Sequence, residues 1–545
     1  MGKLFFRSLM VLALLFGLVL AVGTAVLYHY NFPVIYAVIF ATVLVTFQFI
    51  VGPYLIDWIY KVRWTTTEEI SPQFTQFFTD LCRTRNIPIP RFGIIEDGNP
   101  NAFTYGHVPG DARVVVTRGL IQMLTPEELN AVVAHEVGHI KHYDFIVMSV
   151  AALATLLLYY MYVWTRGRRG NAALIGLGAY VAYIVSQYVV LFLSRIREYF
   201  ADEHAVFAIN DANAMSRALI KIAYGLARIP QEELDAKGNK KQVMSKSQML
   251  GGLGICSFSS AASMAINSTD TTGVFSVDKY TRAMQWDLWN PWAVFFELQS
   301  THPLIAKRVR AASRMAVSLR QQPELPAAPL PTHSYMPLFW KDLLYVALPW
   351  IGLATGVIIT RISGIPQTYV NAMQQSDSVV FMLIMLAASY KLALFLAGAG
   401  WLVRLAFSYN SDFKPATVEE LVGQLEVSHI RPIPVEVEGQ VIGRGIPGLF
   451  WSKDLVIQDQ TGFITLIYKQ PISILETLFG MLKAEALVGK QGKFRGWYRR
   501  GPSPYIELKE AQFSDGTSTK CAYRTFLWAV AIIVTLVSGY LLIVG

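Results

Sequence analysis

The sequence predicts a multi-pass α-helical membrane protein with a cytoplasmic α+β domain in its first half and a small, OB-like β-barrel near its end. Three observations lead there. Of 545 residues, 53% are hydrophobic and only 16% charged, with a mean hydropathy of +0.38, too apolar for an ordinary soluble chain. Uncharged runs of about 20 residues recur, the length that crosses a hydrocarbon core roughly 30 Å thick. Between them lie one stretch with helix caps and paired histidines and another of short Val- and Ile-rich runs separated by Gly and Pro turns.

Seven runs qualify as spans. Leu9 to Tyr28 and Pro33 to Ile56 are joined by a link too short for a domain and read as a hairpin filling about residues 1–60. The first follows Lys3 and Arg7 as a signal peptide would, but it shows no small-residue cleavage site and reads as a retained anchor. Ile146 to Trp164 and Ala172 to Leu193 form a second pair, inside a catalytic-type region over residues 61–322. A Pro- and Ala-rich linker, 323–341, leads to a third pair within 342–405, from Leu343 to Thr360 and Val379 to Val403. A β domain over 414–520 precedes the last span, within 525–544.

The formal charge of +9 is spread through the segments between spans, which argues against one nucleic-acid-binding domain and fits the excess of Lys and Arg in cytoplasmic loops. A cytoplasmic N-terminus puts segments 57–145, 194–342 and 404–524 on that side of a cell membrane and the C-terminus outside. Arg166, Arg168 and Arg169 then face outward, so the second pair also reads as a shallow or re-entrant hairpin. Cys82, Cys256 and Cys521 are scattered, which excludes a disulfide scaffold and suits a reducing compartment.

From Thr125 the chain reads TPEELNAVVAHEVGHIKHYD. Thr125 as cap, Pro126 in the first turn and Glu128 closing a capping box predict a helix start. His135 and His139, four apart, then share one face, with Glu136 beside them. Neutral imidazoles suit zinc, and an adjacent carboxylate can take a proton from a zinc-activated water attacking a peptide carbonyl, so Glu136 is the candidate general base. Five-residue motifs also arise by chance. A catalytic zinc needs a third protein ligand, however, and SRIREYFADEHA, after the fourth span, offers Glu198. Asp202, a turn further on, is placed to accept the free ring N–H of His135. His142 and His204 are left unassigned. His139 lies only seven residues before Ile146, about 10 Å along a helix, so the site belongs at a membrane face.

HEVGH, REYFAD beyond an apolar hairpin and the upstream PNAFTYG together resemble the HtpX and CAAX-prenyl-protease family of membrane gluzincins, over about residues 1–320. The resemblance implies a gluzincin-type catalytic domain binding one Zn2+ per chain through His135, His139 and Glu198, with Glu136 as base. It implies that Asn101 and Ala102 belong to an edge strand that aligns peptide substrate, followed by a strand in ARVVVTRGL. It further implies that His302, in Thr301-His302-Pro303, or Arg308 stabilises the oxyanion, with Arg308 contacting substrate. The implied activity is hydrolysis of membrane or misfolded proteins at the cytoplasmic face, in quality control, with peptide substrates and the lipid bilayer as partners. Prenyl-protein processing and a non-catalytic scaffold with an inherited metal site are the alternatives; the two-plus-two order of spans favours HtpX, and the intact Glu136 disfavours a scaffold.

In the β domain, Arg495, Trp497, Tyr498, Arg499 and Arg500 mix basic and aromatic residues in a pattern that suits nucleic acid or a solvated hairpin near anionic lipid. The membrane tether favours a docking or regulatory module for substrate or partner over nucleic-acid binding. Lys391 falls within the sixth run, where an ionisable group marks either a function or a broken helix.

Overall fold

The computed structural model describes residues 34–98, 100–165, 171–227, 277–364, 371, 378–379, 388–444, 452–501 and 504–544. The first expected span and the three arginines of the 166–169 turn lie outside them. Six described helices are long and apolar enough to cross a membrane. The chain divides into two compact units, one of residues 1–268 and 293–328, the other of residues 269–292 and 329–545.

Among the described residues the first unit starts with helix α1 (Val34–Tyr60) and strand β1 (Arg63–Trp64). Helix α2 (Pro72–Thr84) follows, capped by Ser71. Strands β2 (Arg91–Ile95), β3 (Ala102–Tyr105) and β4 (Arg113–Thr117) complete a sheet of order β1-β2-β4-β3. Strand β4 lies between a parallel neighbour, β2, and an antiparallel one, β3. Its five residues are all buried, as expected of a Val run covered on both faces. The expected strand in ARVVVTRGL thus stops at Thr117, whose hydroxyl caps the short helix Arg118–Met123. Strand β3 is the sheet's edge, paired on one side only among the described residues.

Helix α3 (Pro126–Lys141) starts with the full capping box: the Thr125 hydroxyl accepts from the Glu128 amide, and Glu128 accepts from the Thr125 amide. It ends at His142, and Tyr143, in the left-handed region at φ 58°, turns the chain into helix α4 (Asp144–Thr165). Helix α5 (Asn171–Ile209) runs unbroken for 39 residues, about 58 Å, roughly twice the hydrocarbon thickness. It can span and still carry Glu198 and Asp202 on its continuation. Helix α6 (Ala212–Ala227) packs on α3. The chain then passes through α7 (Val277–Trp289), part of the second unit, and α8 (Ile305–Ser318), back in the first.

The second unit holds three apolar helices, α9 (Met336–Ser363), α10 (Lys391–Ser408) and, after the barrel, the last helix of the chain. Next come β5 (Lys414–Pro415), β6 (Ile433–Arg444), β7 (Leu455–Gln458) and β8 (Phe463–Ile467), then helix α11 (Ser473–Leu482). Strands β9 (Gln491–Arg500), β10 (Pro504–Phe513) and β11 (Ser518–Lys520) lead into α12 (Tyr523–Val544). Strand β6 pairs with β7, β7 with β8, β8 with β10, β10 with β9 and β9 with β6, which closes a five-stranded barrel.

Helices α9, α10 and α12 approach closely. A Cβ on Gly356 would meet Ala393 Cα at 2.2 Å, and one on Gly398 would meet Thr535 Oγ1 at 2.4 Å, so glycine is what lets these backbones touch where lipid supplies no hydrophobic drive. Lys391 opens α10, and its ammonium donates to the Leu541 carbonyl at 2.9 Å, near the end of α12. It is a helix-end contact.

The basic and aromatic stretch of β9 is corrected by the structure. Trp497, Tyr498, Arg499 and Arg500 are buried. Arg499 pairs with Glu507 at 2.9 Å and donates to the His429 carbonyl at 2.6 Å. Arg500 donates to the Val422 and Ala283 carbonyls, each at 2.8 Å. Both solvent-facing readings, nucleic acid and lipid, fail for these four side chains because the barrel and its flanking segments bury them. Only Arg495 remains substantially exposed, paired with Glu436 and Glu510.

Candidate metal centre

Helix α3 presents His135 and His139 on one face, and α5 crosses it closely enough to bring Glu198 opposite them. Gly138 sits at that crossing: a Cβ there would lie 3.1 Å from Ala201 Cα and 3.2 Å from His204 Cβ. The result is a cluster of ligand-type atoms from His135, His139 and Glu198, all within 4.8 Å of one another. His135 Nε2 is 3.2 Å from His139 Nε2 and 3.6 Å from Glu198 Oε2, and His139 Nε2 is 3.8 Å from Glu198 Oε1.

The far side of each ring explains what those atoms can do. His135 Nδ1 lies 2.9 Å from Asp202 Oδ1, and His139 Nδ1 lies 2.6 Å from Asp144 Oδ2. A carboxylate at Nδ1 holds the proton there and leaves Nε2 a lone pair. In that tautomer two imidazole nitrogens and a carboxylate turn toward one centre, the donor set that a divalent cation takes. Metal–ligand bonds of 2.0–2.1 Å in a tetrahedron separate ligand atoms by about 3.3 Å; the two imidazole nitrogens, 3.2 Å apart, match that value, and a Glu198 oxygen lies within 4.8 Å of both. The residues fit a metal ion.

Around this cluster the carboxylates are held from behind. Arg308, wholly buried, donates to Asp202 through Nε at 2.8 Å and Nη2 at 2.6 Å, and its Nη1 lies 3.0 Å from Glu198 Oε2. Its nitrogens are thus committed to Asp202 and Glu198, not to an open cleft. His302 is also buried, with Nδ1 3.1 Å from Glu198 Oε1. Arg197 pairs with Asp144.

Glu136 is buried beside the histidines, and its Oε2 accepts from the Thr104 hydroxyl at 2.8 Å. Thr104 belongs to β3, so the edge strand runs past this carboxylate. Ala102 opens that strand and Asn101 immediately precedes it; the Asn101 amide donates to Thr117 Oγ1 at 2.8 Å, which ties the strand's start to β4. His142 and His204 stand apart from the cluster: their rings meet edge to face at 6.2 Å, and His204 Nδ1 lies 3.0 Å from the Ala134 carbonyl. Burial and the neighbouring Arg197 charge push the His142 imidazole below its usual range.

Sequence reasoning missed three of these groups. Asp144 sits five residues beyond His139, off the helical face, and the left-handed Tyr143 swings it back. Thr104 is 32 residues from Glu136 and reaches it only through the sheet. Arg197 adjoins Glu198, and its charge beside an acidic ligand was the available signal.

A buried and a half-buried histidine, a facing glutamate and a second carboxylate beside them define a metallohydrolase type of site. The family model for peptidase family M48 matches residues 71–316. A protease HtpX homolog of Methanothermobacter thermautotrophicus is 36% identical over 233 residues, 42% of this chain and 89% of that protein. One from Aeropyrum pernix is 31% identical over 291 residues, 51% of this chain and 84% of that protein. A crystal structure of S. mikatae Ste24p aligns with 56% of this chain and 64% of its own at 13% identity, with a TM-score of 0.35, too slight a likeness to carry an argument. The chain belongs to peptidase family M48 as an HtpX-like member, and with six apolar helices among its described residues it is a multi-pass membrane metalloprotease.

Proposed function

We propose that the chain is a gluzincin-type, zinc-dependent endopeptidase in which His135, His139 and Glu198 hold one zinc ion and Glu136 is the general base. The observation that carries this is the convergence of His135, His139 and Glu198 ligand-type atoms within 4.8 Å of one another, with a carboxylate beside Nδ1 on the far side of each ring. A zinc ion there supplies Lewis acidity toward a water molecule and the scissile carbonyl. Glu136, oriented by Thr104, takes the proton of the attacking water and delivers it to the leaving amine. Asp202 and Asp144 fix the tautomers of His135 and His139. Arg308 is reassigned from substrate contact to holding Asp202 and Glu198 in place, while His302 is kept as the donor to the carbonyl oxygen as it gains charge.

The free edge of β3, which begins at Ala102 next to Asn101, accepts an extended peptide through main-chain hydrogen bonds. Helix α4 begins five residues after His139, which supports substrates cut close to the bilayer: membrane proteins and misfolded segments, at the cytoplasmic face of the cell membrane, in proteolytic quality control. The spread of Lys and Arg supports that orientation, and the likeness to HtpX homologs supports that role. The barrel's strand order, with α11 inserted between β8 and β9, supports the OB-like reading of the C-terminal domain.

The test is cleavage of casein and of a reconstituted membrane protein with zinc, with chelator, and by Glu136→Gln. Activity that survives the substitution sinks the mechanism. Equal preference for both substrates sinks the membrane-face reading.

A further inference from the structure

Helix α11 is inverted with respect to a helix of a soluble domain. Its barrel-facing side carries the polar and aromatic contacts: Glu476 pairs with Lys453 and accepts from the Gln470 amide at 2.9 Å, the Phe479 ring stacks on Tyr468 with centroids 3.8 Å apart, and the Gly480 carbonyl accepts from Arg444 at 2.9 Å. Its outward side carries Ile474, Leu475, Leu478, Met481 and Leu482, each between 44% and 73% exposed. Spaced i, i+1, i+4, i+7 and i+8, they make one continuous apolar stripe. A stripe of this kind on a domain surface marks a contact with something apolar.

The chain also shows where this stripe lies. Gln470, three residues before α11, is bonded at both ends of its amide to the segment that enters α12: Nε2 donates to the Lys520 carbonyl at 3.0 Å, and Oε1 accepts from the Ala522 amide at 3.3 Å. The Lys469 ammonium lies 5.5 Å from the ring of Tyr523, the first residue of α12. Three residues reach at most about 10 Å, so α11 begins within the depth of the headgroup layer around α12. Lys520 and Lys483 are exposed near its two ends, where ammonium groups meet lipid phosphates.

We propose that α11 is an in-plane membrane helix, its Ile474, Leu475, Leu478, Met481 and Leu482 stripe seated in the headgroup–acyl boundary of the leaflet that α12 enters. Lipid, and no protein partner, is the occupant, because the stripe is continuous with the bilayer surface that α12 already crosses. The barrel is thereby held to the membrane by a third point besides α10 and α12, and it lies against the surface in one orientation. This does not depend on the peptidase chemistry, and its test does not read activity.

The full chain is reconstituted in vesicles of phosphatidylcholine and phosphatidylglycerol containing a phospholipid with a diazirine on its acyl chain, irradiated and digested with trypsin. The peptide 470–483 should carry lipid adducts, while the polar turn Ser514–Thr517 should not. In the L478E/L482E double variant the adducts on 470–483 should fall to the level of that turn. Adducts on the α12 peptide with none on 470–483 in the unmodified chain overturn the proposal, whatever the variant does. So does a bifunctional cross-linker that joins this face to a second copy or another protein in place of lipid.

Discussion

Asp144 Oδ2 lies 2.6 Å from His139 Nδ1, across a turn in which Tyr143 takes φ 58°. This contact gives His139 the same carboxylate backing that Asp202 gives His135. Asp144→Asn removes the charge but leaves the shape. It should weaken zinc binding or activity roughly 10- to 100-fold, as loss of a partner behind a ligating histidine does. Zinc content after dialysis against graded chelator, together with kcat, checks it; an unchanged affinity would mean that the proton on His139 is held some other way.

Thr104 touches Glu136 and not the metal-ligand atoms. Thr104→Val should therefore lower kcat while zinc content stays at one per chain, whereas Glu136→Gln should lower kcat by about 10²- to 10⁴-fold, the range of a lost general base. Parallel metal analysis and initial-rate kinetics separate the two effects. Zinc lost from the Thr104 variant would contradict the assignment.

Gly138→Val places branched carbon where α3 and α5 touch, with Ala201 and His204 already 3.1–3.2 Å from the added Cβ. The helices must separate, and Glu198 withdraws from the histidines. The expected result is substoichiometric zinc with helical content retained, read by metal analysis and far-UV circular dichroism.

Burial, with the Arg499 and Arg404 charges, pushes the His429 imidazole down to about 4 from its ordinary 6.5. The unfolded chain then binds a proton below about pH 6.5 that the folded one refuses until about pH 4. Folding stability of the barrel unit should fall as pH drops through that window and level off below it. Thermal unfolding at pH 7.5, 5.5 and 4 measures this, and His429→Gln should flatten the slope.

Glu507 takes both Arg499, at 2.9 Å, and the Tyr409 hydroxyl, at 2.8 Å, on the barrel face covered by the end of α10. Glu507→Leu strands a buried guanidinium and should cost about 3–5 kcal/mol. A melting temperature within a degree of the unmodified protein would show that water reaches the pair.

What could be read from the residues alone was whatever local rules control. Thr125, Pro126 and Glu128 announce the start of α3 because caps act within one turn, and the four-residue spacing of His135 and His139 survives any packing. Glu198 was legible because a helix after an apolar run carries its acidic residue to the membrane face. Thr104 and Asp144 were not legible: one arrives through sheet pairing, the other through a single left-handed residue. The burial of Trp497 to Arg500 was hidden because arginine beside aromatics usually signals solvent, and only the closure of β9 between β6 and β10 reverses that.

The two helices that flank the barrel also pack against each other, with Gly398 on Thr535 and Lys391 on the Leu541 carbonyl. They hold the ends of the segment 409–522 together. A closed loop of roughly a hundred residues has on the order of 4 kcal/mol less chain entropy to lose than an open one. In a chain whose three cysteines are scattered, the helical hairpin does the work of a crosslink. The same segment cut free of its anchors should be less stable by about that amount, and one break within it leaves both halves in the membrane.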